Sequence, residues 1–234
     1  MEKAVRKESI RVQAEYERRK IEVRDDLYAP WQPGEMLMTS ERKRIAASML
    51  KQLGKFPDPG SRCLEVGYGK LGWLPDLLSW GLLETDLYGI ELDAERAGQA
   101  RRAFPSAHLE IGDATDLPWE DNYFDFAVVS TVFSSILDVD VRKMISNEVA
   151  RVIAPSGVVV LYDIVVNNPR NKNLRPLKHK DVIAMFPAFH ERFQSLTLAP
   201  PIARMVAGRS WTLATMLSAL PFLRTHFLAI LEKR

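Results

Sequence analysis

Between residues 61 and 162, short apolar runs rich in β-branched residues alternate with stretches of helical character. Residues 61–66 (SRCLEV) run into a glycine-rich turn, and a helix is expected over 72–81. Residues 86–92 (DLYGIEL) read as a second strand, followed from Asp93 by a helix with an acidic start, DAERAGQARRAF. A short strand at 107–111, a fourth at 124–130 (FDFAVVS), a helix over 138–153 and a fifth strand at 157–162 (GVVVLY) complete the series. A strand covered on one side alternates apolar with polar residues. The nearly unbroken apolar runs of the fourth and fifth strands require cover on both faces, as in a parallel sheet between helices. Strands alternating with helices predict a doubly wound α/β fold.

The flanks differ. Residues 1–24 mix basic and acidic side chains with few apolar positions and predict an exposed helix. A breaker-rich link, YAPWQPGEM, precedes a helix expected over 39–53, with Ser40 as N-cap and Gly54 as its stop. Residues 1–54 are thus expected to form an N-terminal helical cap, and 55–234 the main domain. Beyond residue 163 the expected order is a loop, a helix near 180–186, a strand near 191–199, one helix over 202–219 and a last strand, THFLAILEK. The final strands are expected to close the sheet with an antiparallel edge.

Composition narrows the function classes. Lys+Arg 32 against Asp+Glu 30 leaves a formal charge of +2, too even for a general nucleic-acid binder. The single cysteine, Cys63, excludes a disulfide framework and a cysteine zinc site, and the four histidines lack zinc-ligand spacing, so no metal is expected. The N-terminal segment has no apolar core of the kind a secretory leader needs. The longest uncharged stretch, Ser210 to Leu223, is 14 residues, short of the roughly 20 of a membrane span. A soluble, cytoplasmic protein is the expectation.

The strongest local feature is Leu64-Glu65-Val66-Gly67-Tyr68-Gly69-Lys70-Leu71-Gly72. Its glycines fit G-x-G-x-x-G between a strand and a helix, where a nucleotide cofactor meets a helix N-terminus. A tight strand-to-helix turn without a ligand would use the same residues, so context must decide. Glu91 ends the second strand 22 residues past Gly69, where a carboxylate can accept both ribose hydroxyls. Asp113 ends the third, where a side chain could accept an adenine amino proton. Three such elements at successive strand ends fall at the crevice where parallel sheets bind ligands.

Those residues carry a resemblance. Residues 62–164 are similar to the class I S-adenosylmethionine (SAM)-dependent methyltransferases, and the chain resembles small bacterial members of the methyltransferase-11 type. Their acid-x-G-x-G core is matched by Glu65-Val66-Gly67-Tyr68-Gly69, their ribose acid by Glu91 and their adenine-contacting acid by Asp113. Their strand-four pattern is matched by Phe124-Asp125-Phe126-Ala127, and the segment before strand five by Glu148 to Gly157. Two positions depart: Tyr68 stands where a small residue is frequent, and Leu71 where a third glycine is. The side chain of Tyr68 would either narrow the cofactor pocket or point into helix packing. The resemblance implies a seven-stranded, mostly parallel, Rossmann-like sheet with an antiparallel C-terminal strand. It also implies a cofactor site built from Tyr16, Glu65, Gly67, Gly69, Glu91, Leu92, Asp113, Ala114 and Ser130. A nicotinamide dehydrogenase would use the same glycines, but Glu65 argues against it. A carboxylate there suits the amino group of a methionine moiety, whereas a dinucleotide-binding strand is normally apolar up to its first glycine.

The implied activity is transfer of a methyl group to a small-molecule or glycan acceptor, a hydroxyl in the preferred reading. The loop after strand four reads Ser130-Thr131-Val132-Phe133, without the Asn/Asp-Pro-Pro-Tyr/Phe of amino methyltransferases or the Asp of magnesium-dependent catechol types. What remains is metal-independent transfer to a hydroxyl, a carboxylate or an aliphatic amine, with O-methylation of a hydroxyl preferred. Asp163, at the end of strand five, is the candidate general base, and His179 in LKHKD a weaker one. Residues 164–234 are expected to set acceptor specificity, with Asn167-Asn168-Pro169-Arg170 and a run of basic residues followed by aromatic ones. The plain reading of that last third is a solvated face followed by core helix and sheet. A sharper one brings Ser210 to Leu223 against a membrane surface as a peripheral contact. A protein that binds the cofactor or its product without turnover is the alternative of another class.

Overall fold

The computed structural model describes residues 2–24, 26–167 and 171–234, so Asn168, Pro169 and Arg170 lie outside the described residues. Seven strands form one sheet: β1 (Cys63–Val66), β2 (Leu87–Glu91), β3 (His108–Ile111), β4 (Phe124–Ser130), β5 (Ile153–Ile164), β6 (Phe189–Leu198) and β7 (Arg224–Lys233). Their order is β3-β2-β1-β4-β5-β7-β6. Strands β1 to β5 pair in parallel, and β7 runs antiparallel to both β5 and β6. The expected doubly wound sheet with an antiparallel C-terminal strand is what the chain forms. Strand order reverses between β1 and β4, which opens a crevice at their C-terminal ends.

Helices cover both faces. On one face α5 (Val139–Val152) lays Val141, Ile145 and Val149 over Leu64, Val66, Ala127 and Val129, joined by Val182 of α6 (His179–Met185). On the other, α2 (Pro33–Gln52), α3 (Leu74–Ser79) and α4 (Ala94–Ala103) pack Ala46, Leu50, Leu77 and Ala97 over Cys63, Leu87, Phe126 and Val160. The first helix, α1 (Glu2–Glu22), is polar along most of its length and inserts only Val12 among the buried core residues.

Two helices differ from the sequence expectation. Helix α2 begins at Pro33 rather than near residue 39, and Ser40 lies inside it. Proline fits the first helical position because its fixed φ matches and its missing N–H has no partner there anyway. The C-terminal stop stands where expected: the Gly54 N–H donates to the Lys51 carbonyl and the Lys55 N–H to that of Leu50, the paired bonds of a Schellman motif. The single helix expected over 202–219 is two, α7 (Pro200–Ala207) and α8 (Trp211–Ser218). Gly208 ends the first, and Ser210 caps the second by accepting the Leu213 N–H at 3.2 Å. That local cap outweighs the apolar continuity of the segment.

The start of α2 packs directly on α7. A Cβ at Gly34 would lie 2.8 Å from the Arg204 Cα, and Arg204 pairs with Glu35 at 2.8 Å. Alanine at an exposed helical glycine normally stabilises by about 1 kcal/mol. Here Gly34→Ala is expected to destabilise by about 1–2 kcal/mol, because backbone must move to admit the methyl group. A urea melt showing a gain in stability would refute this close contact.

Candidate cofactor cleft

The glycine turn is built from both sides. Gly67, Gly69 and Gly72 all have positive φ, and at Gly72 a Cβ would collide with the Glu65 carboxylate as well. Glu65 is 1% exposed and both its oxygens accept the Trp73 N–H at 2.9 Å. It thus caps the entry to α3 from below, where Trp73 itself has no side-chain cap. Burial pushes its pKa up to about 8, against the Trp73 bond and the nearby Arg42 cation, which lower it. The Glu91 carboxylate accepts the Gly69 N–H at 2.7 Å and the Asp93 N–H at 3.0 Å, tying the turn to the start of α4.

A cleft opens over the C-terminal ends of β1 to β4. Tyr16, Gly67, Leu92, Asp113, Ala114 and Ser130 of the expected site line it. Glu65, Gly69 and Glu91 do not: they form the layer beneath, holding the backbone that the cleft exposes. Tyr68 also turns away. Its ring packs against Gly89, where a Cβ would sit 2.5 Å from Cδ1, and its hydroxyl donates to the Glu110 carbonyl at 3.0 Å. Of the two placements its bulk allowed, the chain adopts the one inside the helix layer, while Leu71 is exposed.

Helix α1 forms the roof. Val12, Tyr16 and Arg19 face the cleft, Ser9 Oγ donates to Asp113 Oδ2 at 2.5 Å, and Gln13 donates to the Leu92 carbonyl. The other Asp113 oxygen accepts the Thr115 N–H and hydroxyl. The Arg96 guanidinium stacks 4.4 Å from the Tyr16 ring centroid. A smaller recess lined by Arg11, Glu15, Asn171 and Asn173 shares Tyr16, Arg19 and Ser135 with the main cleft. Sequence reasoning missed Ser9, Arg19 and Arg96, because no local pattern marks which face of a polar helix a sheet end will meet. Thr131 offers a structural sign of its own: it holds φ 57° on the cleft wall while its N–H donates to the Tyr162 carbonyl at 2.7 Å.

Asp163, the expected base, points elsewhere. It is 0% exposed, is absent from the cleft lining, and accepts the Ser134 N–H at 3.0 Å and the Ile164 N–H at 2.8 Å. Burial raises its pKa to about 6. Residues 161 and 163 share the inward face of β5, so the carboxyl anchors the loop after β4 instead of entering the cleft. His179 is exposed at the start of α6, stacked on Phe193 with ring centroids 4.2 Å apart, and also lies outside the cleft. Among the described residues no three His, Cys, Asp or Glu side chains gather where they could hold a metal ion.

Comparison with known proteins agrees with this geometry. Residues 64–161 match the family model described as a methyltransferase domain. A sterol 4-C-methyltransferase of Caenorhabditis elegans is 24% identical over 138 residues, covering 55% of this chain and 40% of that protein. A demethylmenaquinone methyltransferase of Bacillus mycoides is 25% identical over 107 residues, 44% of each. The chain thus spans less than half the length of these curated relatives. A SAM-dependent methyltransferase structure from Thermotoga maritima superposes with a TM-score of 0.60 at 18% identity, covering 88% of this chain and 95% of that one. Residues 64–161 are a methyltransferase domain of the class I SAM-dependent family, and S-adenosylmethionine is the cofactor that such a domain takes.

Proposed function

We propose that this chain transfers a methyl group from SAM to a hydroxyl of a small molecule, without a metal ion. The observation that carries the reading is the cleft at the strand-order reversal, with Gly67 backbone, Asp113 and Tyr16 around one cavity. The cofactor fits this lining. Gly67 presents bare backbone at the end of β1, and Asp113 stands at the end of β3 where an adenine amino group could donate. Glu91 lies just below, at the ribose position. The Ser9 hydroxyl, which also lies within hydrogen-bond distance of the Val5 carbonyl, can turn to that acceptor and leave the Asp113 oxygen to the adenine amino group.

When bound, SAM would supply an electrophilic methyl group for transfer to an acceptor oxygen. The chain's own task is then to hold the acceptor and settle its charge. The recess beside Tyr16 is where the acceptor would lie. Arg19 lines it and Arg96 lies in the adjoining cleft, cations that favour a hydroxyl acidic enough to give its proton to solvent and stabilise the resulting oxyanion. Asp163 then acts as a positioning residue for Ser134 and the loop wall. The names of the two curated relatives, both enzymes of small molecules, support a small-molecule acceptor over a glycan. Residues 1–54 serve as the cap and 164–234 as the acceptor-facing part in this reading.

Calorimetric titration with SAM, S-adenosylhomocysteine and NAD tests it first. Micromolar binding of the sulfonium cofactor or its product is expected, weakened about tenfold or more by Asp113→Ala. Transfer of labelled methyl to an acceptor panel, with the labelled atom located in the product, tests the hydroxyl assignment. NAD binding in place of SAM would end the proposal.

A further inference from the structure

The connection between β6 and β7 leaves apolar surface uncovered. Helix α8 buries only Ala214 fully, while Leu213 and Met216 are exposed on it and Leu220 is exposed just beyond its end. Phe222 is 79% exposed and Met216 65%, and Met205 of α7 and Trp211 are exposed as well. A monomeric domain rarely leaves so many large apolar side chains uncovered on one short connection without a partner for them. The connection itself carries no acid: from Arg192 to Leu231 the sequence has four arginines and no aspartate or glutamate. Arg204 is paired with Glu35 of α2 and Arg192 lies toward the other end of β6, so Arg209 and Arg224 are the cations left beside the apolar side chains. Among the described residues, the Arg209 side chain, on the turn between the two helices, bonds the Met205 carbonyl, and that of Arg224 the carbonyls of Ser195, Ser218 and Ala219, with Glu41 near enough to feel the Arg224 charge.

We infer that the α7–α8 connection is a docking surface for a membrane bearing anionic phospholipids. Aromatic and aliphatic side chains rimmed by arginine, with no acid between them, suit an interface of acyl chains below negative headgroups. A second copy of the chain suits it less, because neither copy's connection would bring a carboxylate to meet the other's arginines. No helix among the described residues is long and apolar enough to cross a membrane, so the contact is one of lying on the surface. Position adds to the argument. Leu198 pairs with Arg224 and Ile164 with His226, so the connection lies at the end of the sheet where β5 finishes and the cleft opens. A docked molecule would therefore hold its cleft near the membrane surface, within reach of a lipid-phase acceptor. The docking surface itself does not rest on methyl transfer.

Flotation of the full chain with vesicles tests the inference without measuring activity. Vesicles of phosphatidylcholine with about one third phosphatidylglycerol are expected to carry the protein up, and vesicles of phosphatidylcholine alone to leave it behind. Met216→Ser combined with Phe222→Ser is expected to lower the bound fraction about tenfold, and Arg209→Glu severalfold, both with unchanged thermal melts because these side chains are exposed. Equal flotation of wild type and variants, or none on the anionic vesicles, would overturn it. So would a concentration-dependent dimer abolished by the same double substitution, which would assign the surface to a second copy.

Discussion

Replacing Glu91 with alanine should weaken SAM binding by about a hundredfold, more than any other single change beneath the cleft. The carboxylate is buried and holds two backbone donors, the N–H groups of Gly69 and Asp93. Its loss leaves both without a partner in a site closed to bulk water, each at a cost of about 1–3 kcal/mol. The glycine turn and the first turn of α4 would then no longer share an anchor. The proposed ribose contact disappears in the same step. Glu91→Gln separates the two effects, since an amide oxygen can still accept the Gly69 N–H while the negative charge is gone. Calorimetry should place Gln between wild type and Ala. Wild-type affinity in the alanine variant, with its fold intact by circular dichroism, would remove Glu91 from the site altogether.

The second large effect concerns Glu65 and pH. Its ordinary value is 4.5 and burial raises it to about 8 in the folded chain. Between those values the folded state holds a proton that the unfolded chain has lost, so stability falls as pH rises. The contribution is fully present below about pH 4.5 and is lost as pH climbs through 8. Asp163 acts with the same sign over a lower window, from 3.8 to about 6. Glu65→Gln keeps the shape and the acceptor for the Trp73 N–H but cannot ionise. Wild-type Tm is therefore expected to drop between pH 6 and 9 by about 5 °C more than that of the variant, read by differential scanning calorimetry. Parallel curves for the two proteins would mean that Glu65 ionises freely in the folded state.

Both predictions rest on carboxylates whose positions in the chain were legible and whose orientations were not. Glu65, Glu91 and Asp113 mark three strand ends in the sequence, and all three stand at strand ends in the fold. Only Asp113 of the three lines the cleft. Glu65 lies on the face of β1 shared with Cys63, toward α3, whereas Leu64 and Val66 face α5. Strand periodicity says that neighbouring residues face opposite ways, but not which layer a ligand will enter. The same gap explains Asp163, whose strand-end position suggested a base and whose face turned it into an anchor.

What the sequence determined by itself is local and periodic. Unbroken β-branched runs dictated a sheet covered on both faces, and glycines at fixed spacing dictated the turn after β1. Gly54, a residue free to take the positive φ of a helix stop, dictated where α2 ends. Tertiary structure alone decided what closes the cleft. Helix α1 is a nearly uniform polar helix with no strong apolar stripe, yet it lies over the crevice through Val12 and the bond from Ser9 to Asp113, 104 residues away in the chain. It also decided that α7 and α8 pack Ala203, Ala207 and Ala214 against Leu37, Met38 and Leu198 while Met205, Leu213 and Met216 turn outward. Local energetics are written into short stretches of sequence, whereas the choice of partner for a face is settled only when distant elements compete for the same surface.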